Sequence, residues 1–410
     1  MKIRAGIEKI RVYPTSMMLD MDKLCEARGH DPKDIHETMM IDQRSVNPAW
    51  EDPITMAVNA AKPMLTDEDR DKIELLIVGS ESGVDQEKPM STWVHRYLGL
   101  KPNCRNFEIK HACYSGTAGL QMALPWVASG LAGDAKALVI ATDQSRMHLG
   151  KPYEFVMGAG SAAVLISNKP KILDIDLGKS GYWTNEIPDL TRPTSRVETG
   201  NSETSLLSYL EALEGAYAHF LERVGEPIDF DSYFKKHVYH LPFGGMTFRG
   251  HKTLLRKYTD LPKKEWRPHW ERKTSATLKF IRRMGGTYAS STFIGLLGLI
   301  EDSTDLNPGD RISMYSYGSG CMAEWYTGFI CPEAKEAARA AGLQELLDAR
   351  YPLSVREYED VERERTCWID QGDYEPSHGG FAGFYDKAYR GKGKLVFKGM
   401  SEYNRYYDWS

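Results

Sequence analysis

Short apolar runs alternate with longer apolar segments in the first half of the chain. The runs ELLIVGSES (74–82) and ALVIATDQS (137–145) are rich in β-branched residues and end in small polar residues. This pattern predicts buried strands that deliver loops at their carboxyl ends. Before the first run, DPITMAVNAAKPML predicts a helix with Asp52 as its N-cap and Pro53 at its first position. Alternating strands and helices indicate the α/β fold class.

The second half repeats this order of elements. KHVYHLPFGG (236–245) predicts a strand leading into a glycine loop, and SSTFIGLLGLIED (290–302) predicts a buried helix. RISMYSYGSGCMAEWYTGFI (311–330) predicts a strand, a glycine turn and a second strand, and YEFVMGAGSAAVLIS (153–167) is its expected counterpart in the first half. Two similar halves indicate an internal duplication.

The remaining segments connect or follow these halves. Residues 181–205 have the polar, proline-containing composition of a loop, and residues 331–366 form a highly charged stretch that predicts helix. The tail after residue 378 alternates like a strand and contains many tyrosines. We therefore expect three parts, namely residues 1–170, residues 171–330, and an appended region of residues 331–410 that packs on the core.

Composition places the chain among enzyme-sized globular proteins. Of its 410 residues 41% are hydrophobic and 27% are charged, and the mean hydropathy is −0.47. No apolar stretch is long enough to span a membrane, and the first residues lack the apolar core of a secretory signal, so a cytoplasmic location is expected. Six cysteines without CxxC pairs are typical of a reducing compartment and give no sign of a metal site.

Positive charge is concentrated in one segment. The formal net charge of −5 argues against a nucleic-acid-binding protein. Between residues 249 and 283, however, twelve Lys or Arg side chains stand against three acids. Six of these cations are the candidate binding patch: Arg249, Lys252, Arg256, Arg267, Arg272 and Lys273.

Cys113 lies between a β-like run and the helix predicted at residues 114–130, in which Pro125 is expected to form a kink or the end. At a helix start, unpaired N–H groups and the helix dipole lower a thiol pKa and favour the nucleophilic thiolate. The small neighbours would allow an acyl chain to approach; they are Ala112, Gly116, Ala118 and Gly119. The alternative is a structural cysteine in a tight turn.

Glu81 and His240 are candidate partners of this cysteine. Glu81 follows the first apolar strand, where burial would raise its pKa toward neutrality and suit it for proton transfer. His240 occupies the equivalent place in the second half. Taken separately, the two side chains could be a solvated loop glutamate and a hydrogen-bonded core histidine. The duplication would instead bring both strand ends to one crevice.

These residues stand in motifs that resemble those of the 3-hydroxy-3-methylglutaryl (HMG) synthase family of the thiolase superfamily. The matching motifs, in order, are GSES around Glu81, HACYSGTAGL around Cys113, HLPF from His240, and YSYGSG at 315–320. The resemblance extends from residue 1 to about residue 330. It implies a duplicated, five-layered αβαβα thiolase-type fold, in which the first half carries Glu81 and Cys113 and the second carries His240.

The resemblance also implies an aldol-type condensation. Cys113 would be acetylated, Glu81 would act as general acid and base, and His240 would bind the acceptor carbonyl and stabilise the alkoxide. Hydrolysis from Cys113 would then release a 3-hydroxy-3-carboxymethyl product. The resemblance implies no bound cofactor and no metal, and it implies a homodimer. Further substrate-binding candidates are Gly318, Ser319, Gly320, Tyr153 and Pro242.

Two departures concern the source of the acyl groups. CoA-dependent members usually carry a lysine soon after the histidine motif, where this chain has Gly244, Gly245 and Met246. An asparagine expected before the second buried helix is replaced within GGTYASS. At both positions the chain is similar to the synthases of polyketide β-branching. Those enzymes take phosphopantetheine thioesters from a donor acetyl-acyl carrier protein and an acceptor carrier protein.

Three functions therefore stay open at the level of the sequence. The first is a synthase acting on carrier-protein thioesters, for which the basic segment would attract the acidic carriers. The second is a synthase using acetyl-CoA and acetoacetyl-CoA, for which the same charge would hold CoA phosphates. The third is an inactive scaffold that docks synthase partners, although all three motif side chains are present. The basic segment could also be an ordinary solvated helical face.

Overall fold

Most strands of the chain join one nine-stranded mixed sheet. The structure is a computed structural model and describes residues 3–410. The strands are β1 (Gly6–Tyr13), β2 (Met17–Asp20), β3 (Gln43–Val46), β4 (Ile73–Gly79), β5 (Arg105–Ile109), β6 (Lys136–Gln144), β7 (Ala159–Ser167), β8 (Leu173–Thr184), β9 (Leu190–Thr191), β10 (Thr199–Gly200), β11 (Lys236–Val238), β12 (Arg311–Gly318), β13 (Met322–Ile330), β14 (Tyr351–Leu353), β15 (Leu395–Ser401) and β16 (Asn404–Trp409).

The sheet has an internal symmetry. Its strand order is β11-β12-β13-β8-β1-β7-β6-β4-β5. Outward from the central β8–β1 pair, each side has two antiparallel pairings followed by a parallel one: β1–β7, β7–β6 and β6–β4 on one side, and β8–β13, β13–β12 and β12–β11 on the other. The same pattern in both halves confirms the duplication predicted from the order of elements.

Helices cover both faces of the two halves. They are α1 (Met21–Arg28), α2 (Pro53–Ala61), α3 (Asp67–Lys72), α4 (Met90–Leu98), α5 (Ser115–Ala128), α6 (Ser202–Val224), α7 (Phe230–Tyr233), α8 (Gly244–Tyr258), α9 (Lys263–Lys273), α10 (Leu278–Ile281), α11 (Ser291–Asp302), α12 (Ala334–Ala340), α13 (Leu343–Asp348), α14 (Val355–Glu364) and α15 (Ala382–Ala388). Single helical turns lie at Pro152–Phe155 and Tyr288–Ser290.

The core is divided into layers. One cluster of buried side chains contains α5, α11 and the strand faces on both sides of them. A second cluster packs α2 and α4 on the outer face of the first half, and a third packs α6 and α8 on the outer face of the second. The sequence of layers is helix, sheet, helix, sheet, helix, as predicted.

Local signals explain several of these elements. The side chain of Asp52 accepts a hydrogen bond from the N–H of Thr55, whose hydroxyl accepts one from the N–H of Asp52, and Pro53 occupies the first helical position. The helix predicted after Cys113 forms as α5, but Pro125 lies inside it and the helix continues to Ala128.

Two glycine-rich segments differ from the expectation. Residues 153–167 do not form a hairpin, because β7 pairs with β6. Gly158 instead packs against the backbone of Met284, whose carbonyl oxygen would lie 2.1 Å from a Cβ atom on Gly158. Gly244 and Gly245 do not form a loop but begin α8, where a Cβ on Gly245 would lie 1.9 Å from the carbonyl oxygen of Thr38. In both places glycine permits a close backbone approach rather than a turn.

The appended region packs against both halves, because its helices α12 and α13 join the cluster that contains α5 and α11. Strand β14 pairs with β2, and the β15–β16 hairpin contributes to the cluster that contains α2. Arg405 of this hairpin forms a buried ion pair with Asp52 at 3.0 Å. Within residues 3–410 we find no helix of the length and apolar character needed to cross a membrane.

Candidate active site

Cys113 lies in a tight turn between β5 and α5. The turn is closed by a hydrogen bond from the N–H of Tyr114 to the carbonyl of His111 at 3.1 Å. Ala112 has a φ of 42°, in the left-handed region that a residue with a side chain adopts only under constraint. The end of β12 packs on this turn, since a Cβ on Gly318 would lie 2.6 Å from the carbonyl oxygen of His111. The position of the thiol is therefore fixed by both halves.

Glu81 lies beside this thiol. It follows the end of β4, and its Oε2 is 3.3 Å from Sγ of Cys113, which donates a hydrogen bond to it. The loop that carries Glu81 is held by the buried carboxylate of Asp143, at the end of β6. Asp143 accepts hydrogen bonds from the N–H of Glu81 at 2.9 Å and from the hydroxyls of Ser80 and Ser82 at 3.0 and 2.9 Å. The predicted pairing of Glu81 with Cys113 is thus present in the structure.

Burial sets the protonation of this pair. It raises the pKa of Glu81 to about 7, with Arg192 lowering that pKa and Asp143 raising it. Burial also raises the pKa of Asp143 to about 6. Burial, and then the charges of Glu81 and Asp143, raise the pKa of the Cys113 thiol well above its usual value. The direction is opposite to the lowered thiol pKa expected from the helix start, because burial and two neighbouring carboxylates disfavour the thiolate.

Arg192 is a site residue that the sequence did not reveal. Its Nη1 donates to the carbonyl of Glu81 at 3.1 Å and to the hydroxyl of Ser82 at 3.0 Å. Its Nη2 lies 3.4 Å from Oε1 of Glu81 and 3.1 Å from Oε2 of Glu198. Both Arg192 and Glu198 belong to residues 181–205, the segment interpreted only as a loop. The only local sequence feature that marks Arg192 is the proline that follows it, and an Arg-Pro pair is common in loops.

His240 follows β11 and is buried, with 1% of its surface exposed. Its Nδ1 lies 2.9 Å from Oγ of Ser291, which also accepts a hydrogen bond from the N–H of Leu241 at 3.4 Å. This contact fixes the orientation of the imidazole ring, and in the tautomer that carries its proton on Nε2 the hydroxyl of Ser291 donates to Nδ1. Burial lowers the pKa of His240 to about 3, so the imidazole is neutral near pH 7.

The end of β12 connects His240 to the cysteine turn. The rings of His240 and Tyr317 are 6.4 Å apart between centroids, and the next residue, Gly318, packs on the turn that holds Cys113. Within the described chain no hydrogen bond joins His240 to Cys113 or Glu81. The structure thus brings the three motifs to the same end of the sheet, with direct contact only between Cys113 and Glu81.

The other substrate-binding candidates differ in position. Ser319 lines a cavity beside Glu81, whereas the N–H of Gly320 donates to Asp189 at 2.9 Å and is not free for a ligand. Tyr153 packs beside His148 near the 190–198 loop. Pro242 contributes its carbonyl to a close approach with Gly286.

The cavity beside Glu81 has a volume of about 780 Å³. Its wall is formed by the segments 80–89, 106–112 and 190–198, together with Arg146 and Ser319. A cavity of this size is large enough for an extended small-molecule group. No group of His, Cys, Asp or Glu side chains in residues 3–410 is arranged to hold a metal ion.

The small residues after Cys113 serve packing rather than substrate approach. A Cβ on Gly116 would lie 2.8 Å from Cβ of Ala141 and 2.9 Å from the carbonyl of Ala289. A Cβ on Gly119 would lie 2.8 Å from a methyl group of Val139. At Gly116 and Gly119 the expectation that the position admits an acyl chain is wrong, because the sheet and the segment 289–293 already occupy the space, whereas Ala112 lines the cavity.

The six cations of the predicted patch lie on α8 and α9, outside the cavity wall. Lys273 is largely committed to structure, since its Nζ contacts Asp231 at 2.8 Å and donates to the carbonyl of Phe234 at 2.8 Å. Arg267 pairs with Glu271 at 3.1 Å, and Arg256 lies 3.8 Å from Glu214. Among the described residues, Arg249, Lys252 and Arg272 form no ion pair.

Comparison with known proteins identifies two family models in this chain. The model of the N-terminal region of hydroxymethylglutaryl-coenzyme A synthase matches residues 4–171, and that of the C-terminal region matches residues 251–380. Together they include the Cys113 turn, the Glu81 loop, α9 and the part of α8 from residue 251 onward.

Individual relatives include both carrier-protein and CoA enzymes. The polyketide biosynthesis 3-hydroxy-3-methylglutaryl-ACP synthase PksG of Bacillus subtilis is 38% identical over 370 residues, which cover 87% of each chain. A hydroxymethylglutaryl-CoA synthase of Enterococcus faecalis is 36% identical over 355 residues, covering 86% of this chain and 90% of the relative. The crystal structure of the curacin biosynthetic pathway HMG synthase in complex with holo donor-ACP has a TM-score of 0.94 at 38% identity, covering 99% of this chain and 100% of that one.

Proposed function

This chain belongs to the hydroxymethylglutaryl-coenzyme A synthase family, and we propose that it condenses an acetyl group on Cys113 with a β-keto thioester held on an acyl carrier protein. Members of this family are carbon–carbon bond-forming, acyl-condensing enzymes, and HMG synthase activity follows from membership.

The observation that carries the proposal is the contact between Cys113 and Glu81. Sγ and Oε2 are 3.3 Å apart next to a cavity of about 780 Å³. Because the pKa of the thiol is raised and that of Glu81 is about 7, Glu81 is suited to remove the thiol proton as the sulfur attacks. The acetyl group moves to Cys113, and the departing carrier thiolate takes the proton from Glu81, which restores the carboxylate.

The same carboxylate serves the second step. Glu81 removes a proton from the acetyl methyl group, and the resulting enolate carbon attacks the β-carbonyl of the acceptor. The alkoxide that forms takes this proton back from Glu81. Neutral His240, in the tautomer that carries its proton on Nε2, donates a hydrogen bond to the same oxygen. Water then cleaves the thioester, giving free Cys113 and a carboxylate on the product.

Carrier-protein thioesters are proposed as substrates for two reasons. PksG is named as an ACP synthase, and the curacin synthase was solved with a donor-ACP. In this chain, Lys252 and Arg272 project unpaired from the basic helices that follow the histidine motif, where they would attract an acidic carrier. The alternative is use of acetyl-CoA and acetoacetyl-CoA, which the Enterococcus relative supports by its name.

We also propose that the protein is a homodimer. Strand β5 is an edge of the nine-stranded sheet, and Phe107 on it is 39% exposed. An uncovered edge strand with an exposed aromatic side chain favours pairing with another strand. Molar mass in solution by light scattering, compared between wild type and Phe107→Lys, tests this point. A wild-type monomer would reject it.

The central test is intact-mass analysis after incubation with acetylated carrier protein or, in parallel, with acetyl-CoA. We expect an acetyl-sized mass increase from the carrier that is absent in Cys113→Ser. Cys367→Ser is the matched control, because Cys367 is an exposed thiol outside the site and its loss should leave the adduct unchanged. Efficient labelling by acetyl-CoA alone would favour the CoA alternative, and no adduct on Cys113 from either donor would reject both.

A further inference from the structure

Arg192 lies between two carboxylates that belong to different segments of the chain. Its Nη2 is 3.4 Å from Oε1 of Glu81 and 3.1 Å from Oε2 of Glu198. Its Nη1 holds the Glu81 loop through the carbonyl of Glu81 and the hydroxyl of Ser82. Only 10% of the Arg192 side chain is exposed, so these contacts are weakly screened by solvent. One guanidinium thus contacts both the backbone and the carboxylate of Glu81.

Glu198 is the fixed counter-charge of this arrangement. It is 5% exposed and lies 3.3 Å from Nε2 of His148. Although burial favours the neutral acid, the neighbouring imidazole of His148 and the charge of Arg192 lower the pKa of Glu198 to about 2. Glu198 therefore stays ionised throughout the range in which Glu81 titrates, and part of the attraction of Arg192 is always directed to it.

We propose that Arg192 and Glu198 are positioning residues that together fix the place of the Glu81 carboxylate and adjust how readily it exchanges a proton. This inference rests on the proposed role of Glu81 as the base. A lone arginine would hold Glu81 as a permanently charged, weakly basic carboxylate. A lone buried carboxylate without arginine would hold its proton too strongly to act as a base near pH 7.

The two residues act on Glu81 with opposite signs. Arg192 lowers the pKa of Glu81 and Glu198 raises it, while burial is the largest cause and gives a value of about 7. The other groups that face this cluster are Cys113, Asp143, Tyr288, Arg146 and His148. Tyr288 lies under the guanidinium of Arg192 at 4.8 Å, and its own pKa is raised by burial, so it is neutral. None of these neighbours reverses the opposite signs of Arg192 and Glu198.

The test measures how the base depends on pH. The enzyme is loaded with trideuterioacetyl groups from the carrier protein, and the loss of deuterium to water is followed by mass spectrometry in a series of buffers. The rate should rise with pH through the pKa of Glu81. In Arg192→Met the midpoint should move up by about one unit or more, and in Glu198→Gln it should move down by a similar amount. Arg192→Lys should restore part of the shift, because a lysine supplies the charge but not the forked contacts.

Arg196→Met is the matched control. Arg196 lies in the same loop and contacts Asp370 at 2.6 Å and the carbonyl of Ile369 at 2.6 Å, but it does not contact Glu81. The Arg196→Met substitution should change neither the rate of deuterium loss nor the midpoint of its pH dependence. If Arg192→Met and Glu198→Gln move the midpoint in the same direction, or not at all, the pair has only a structural role. If wild-type Cys113 is never acetylated, the proposed function fails first, and the two failures are thereby distinguished.

Discussion

Asp143 accepts a hydrogen bond from the backbone N–H of Glu81, with 2.9 Å between Oδ1 and the nitrogen. Its other oxygen faces the N–H of Ala289 at 3.3 Å, in the turn that leads into α11. Asp143 is completely buried and so connects the glutamate loop of the first half to the central helix of the second. Every group that contacts Asp143 in these hydrogen bonds is a donor, so this position requires a side chain that accepts with both oxygens.

Asp143→Asn should therefore disturb the site more than the fold. The amide NH₂ group would face N–H and O–H donors, and the Glu81 loop would shift to avoid them. We expect the single-turnover condensation rate to fall about a hundredfold, as small displacements of reacting groups allow. The loss of stability should be only about 1–3 kcal/mol.

Thermal unfolding and rapid-quench kinetics separate these effects. Asp229→Asn is a matched control, because Asp229 also accepts from a backbone N–H and a hydroxyl, both of Ser232, at the start of α7. It should cost some stability and leave the condensation rate unchanged. A wild-type rate in Asp143→Asn would show that the Glu81 loop keeps its position without this carboxylate.

Glu81→Gln should have opposite effects on two reactions of the same thiol. Removing the neighbouring negative charge lowers the pKa of Cys113, since that charge is among the causes that raise it. At a given pH between 7 and the thiol pKa, the thiolate fraction then increases, and alkylation by iodoacetamide should become faster. Acetyl transfer from the carrier should become slower, because the base that removes the thiol proton is gone.

Alkylation is followed by intact mass in a Cys367→Ser background, which removes the exposed thiol. Wild-type alkylation should rise steadily with pH across the neutral range without reaching a plateau, as the raised pKa requires. Both rates falling together in Glu81→Gln would indicate a collapsed site, and acetyl transfer at the wild-type rate would remove the role of Glu81 as the base.

The sequence predicted the parts of the site that depend on local pattern. Glu81 and His240 follow β-rich runs, and Cys113 precedes a helix, so their place at strand or helix ends could be read from periodicity and polar terminators. The order of elements likewise predicted the duplicated sheet. The capping of α2 by Asp52 needed only the dipeptide Asp-Pro and a threonine three residues after the cap.

The parts that depend on tertiary contact could not be predicted in this way. Arg192 and Glu198 lie in an irregular loop, and only the folded chain places them on Glu81. The thiol pKa was predicted with the wrong sign because the helix start is a local feature, whereas burial and the neighbouring carboxylates are not. Glycines were interpreted as turns or substrate contacts, although Gly116 and Gly245 permit contact between distant segments.

Gly116→Ala should test this interpretation of glycine. The added methyl group would meet Cβ of Ala141 at 2.8 Å, the carbonyl of Ala289 at 2.9 Å and the ring of Phe293 at 3.1 Å, and two of these belong to the other half. Overpacking of this kind costs about 1–3 kcal/mol and exceeds the gain of alanine over glycine in a helix. The free energy of unfolding from urea titration should fall accordingly.

Gly383→Ala is the matched control for that prediction. Gly383 also lies in a helix, α15, and a methyl group there has no neighbour within 4 Å. This substitution should stabilise the protein slightly, by about 0.5–1 kcal/mol. If both variants gain stability, the space around Gly116 is not as tight as the contacts require.

Charge reversal on the basic helices should slow carrier-dependent acetylation. The variant Lys252→Glu combined with Arg272→Glu uses exposed cations without ion pairs, whereas Lys273 is left in place because it anchors α9 to Asp231 and Phe234. Electrostatic attraction acts on the rate of encounter, so we expect a loss of about tenfold or more at low ionic strength. The difference should shrink as added salt screens exposed charges.

A control variant reverses Lys23 and Lys392, which are exposed cations on other elements and equally without ion pairs among the described residues. It changes the net charge by the same amount, so a loss caused by overall charge would appear in both variants. Stopped-flow acetylation over a salt series gives the encounter rate and its salt dependence for each. Equal rates in the two variants at low salt would exclude the basic helices as the carrier-docking surface. A slower rate and a flatter salt dependence in the first variant alone would place the donor carrier on α8 and α9.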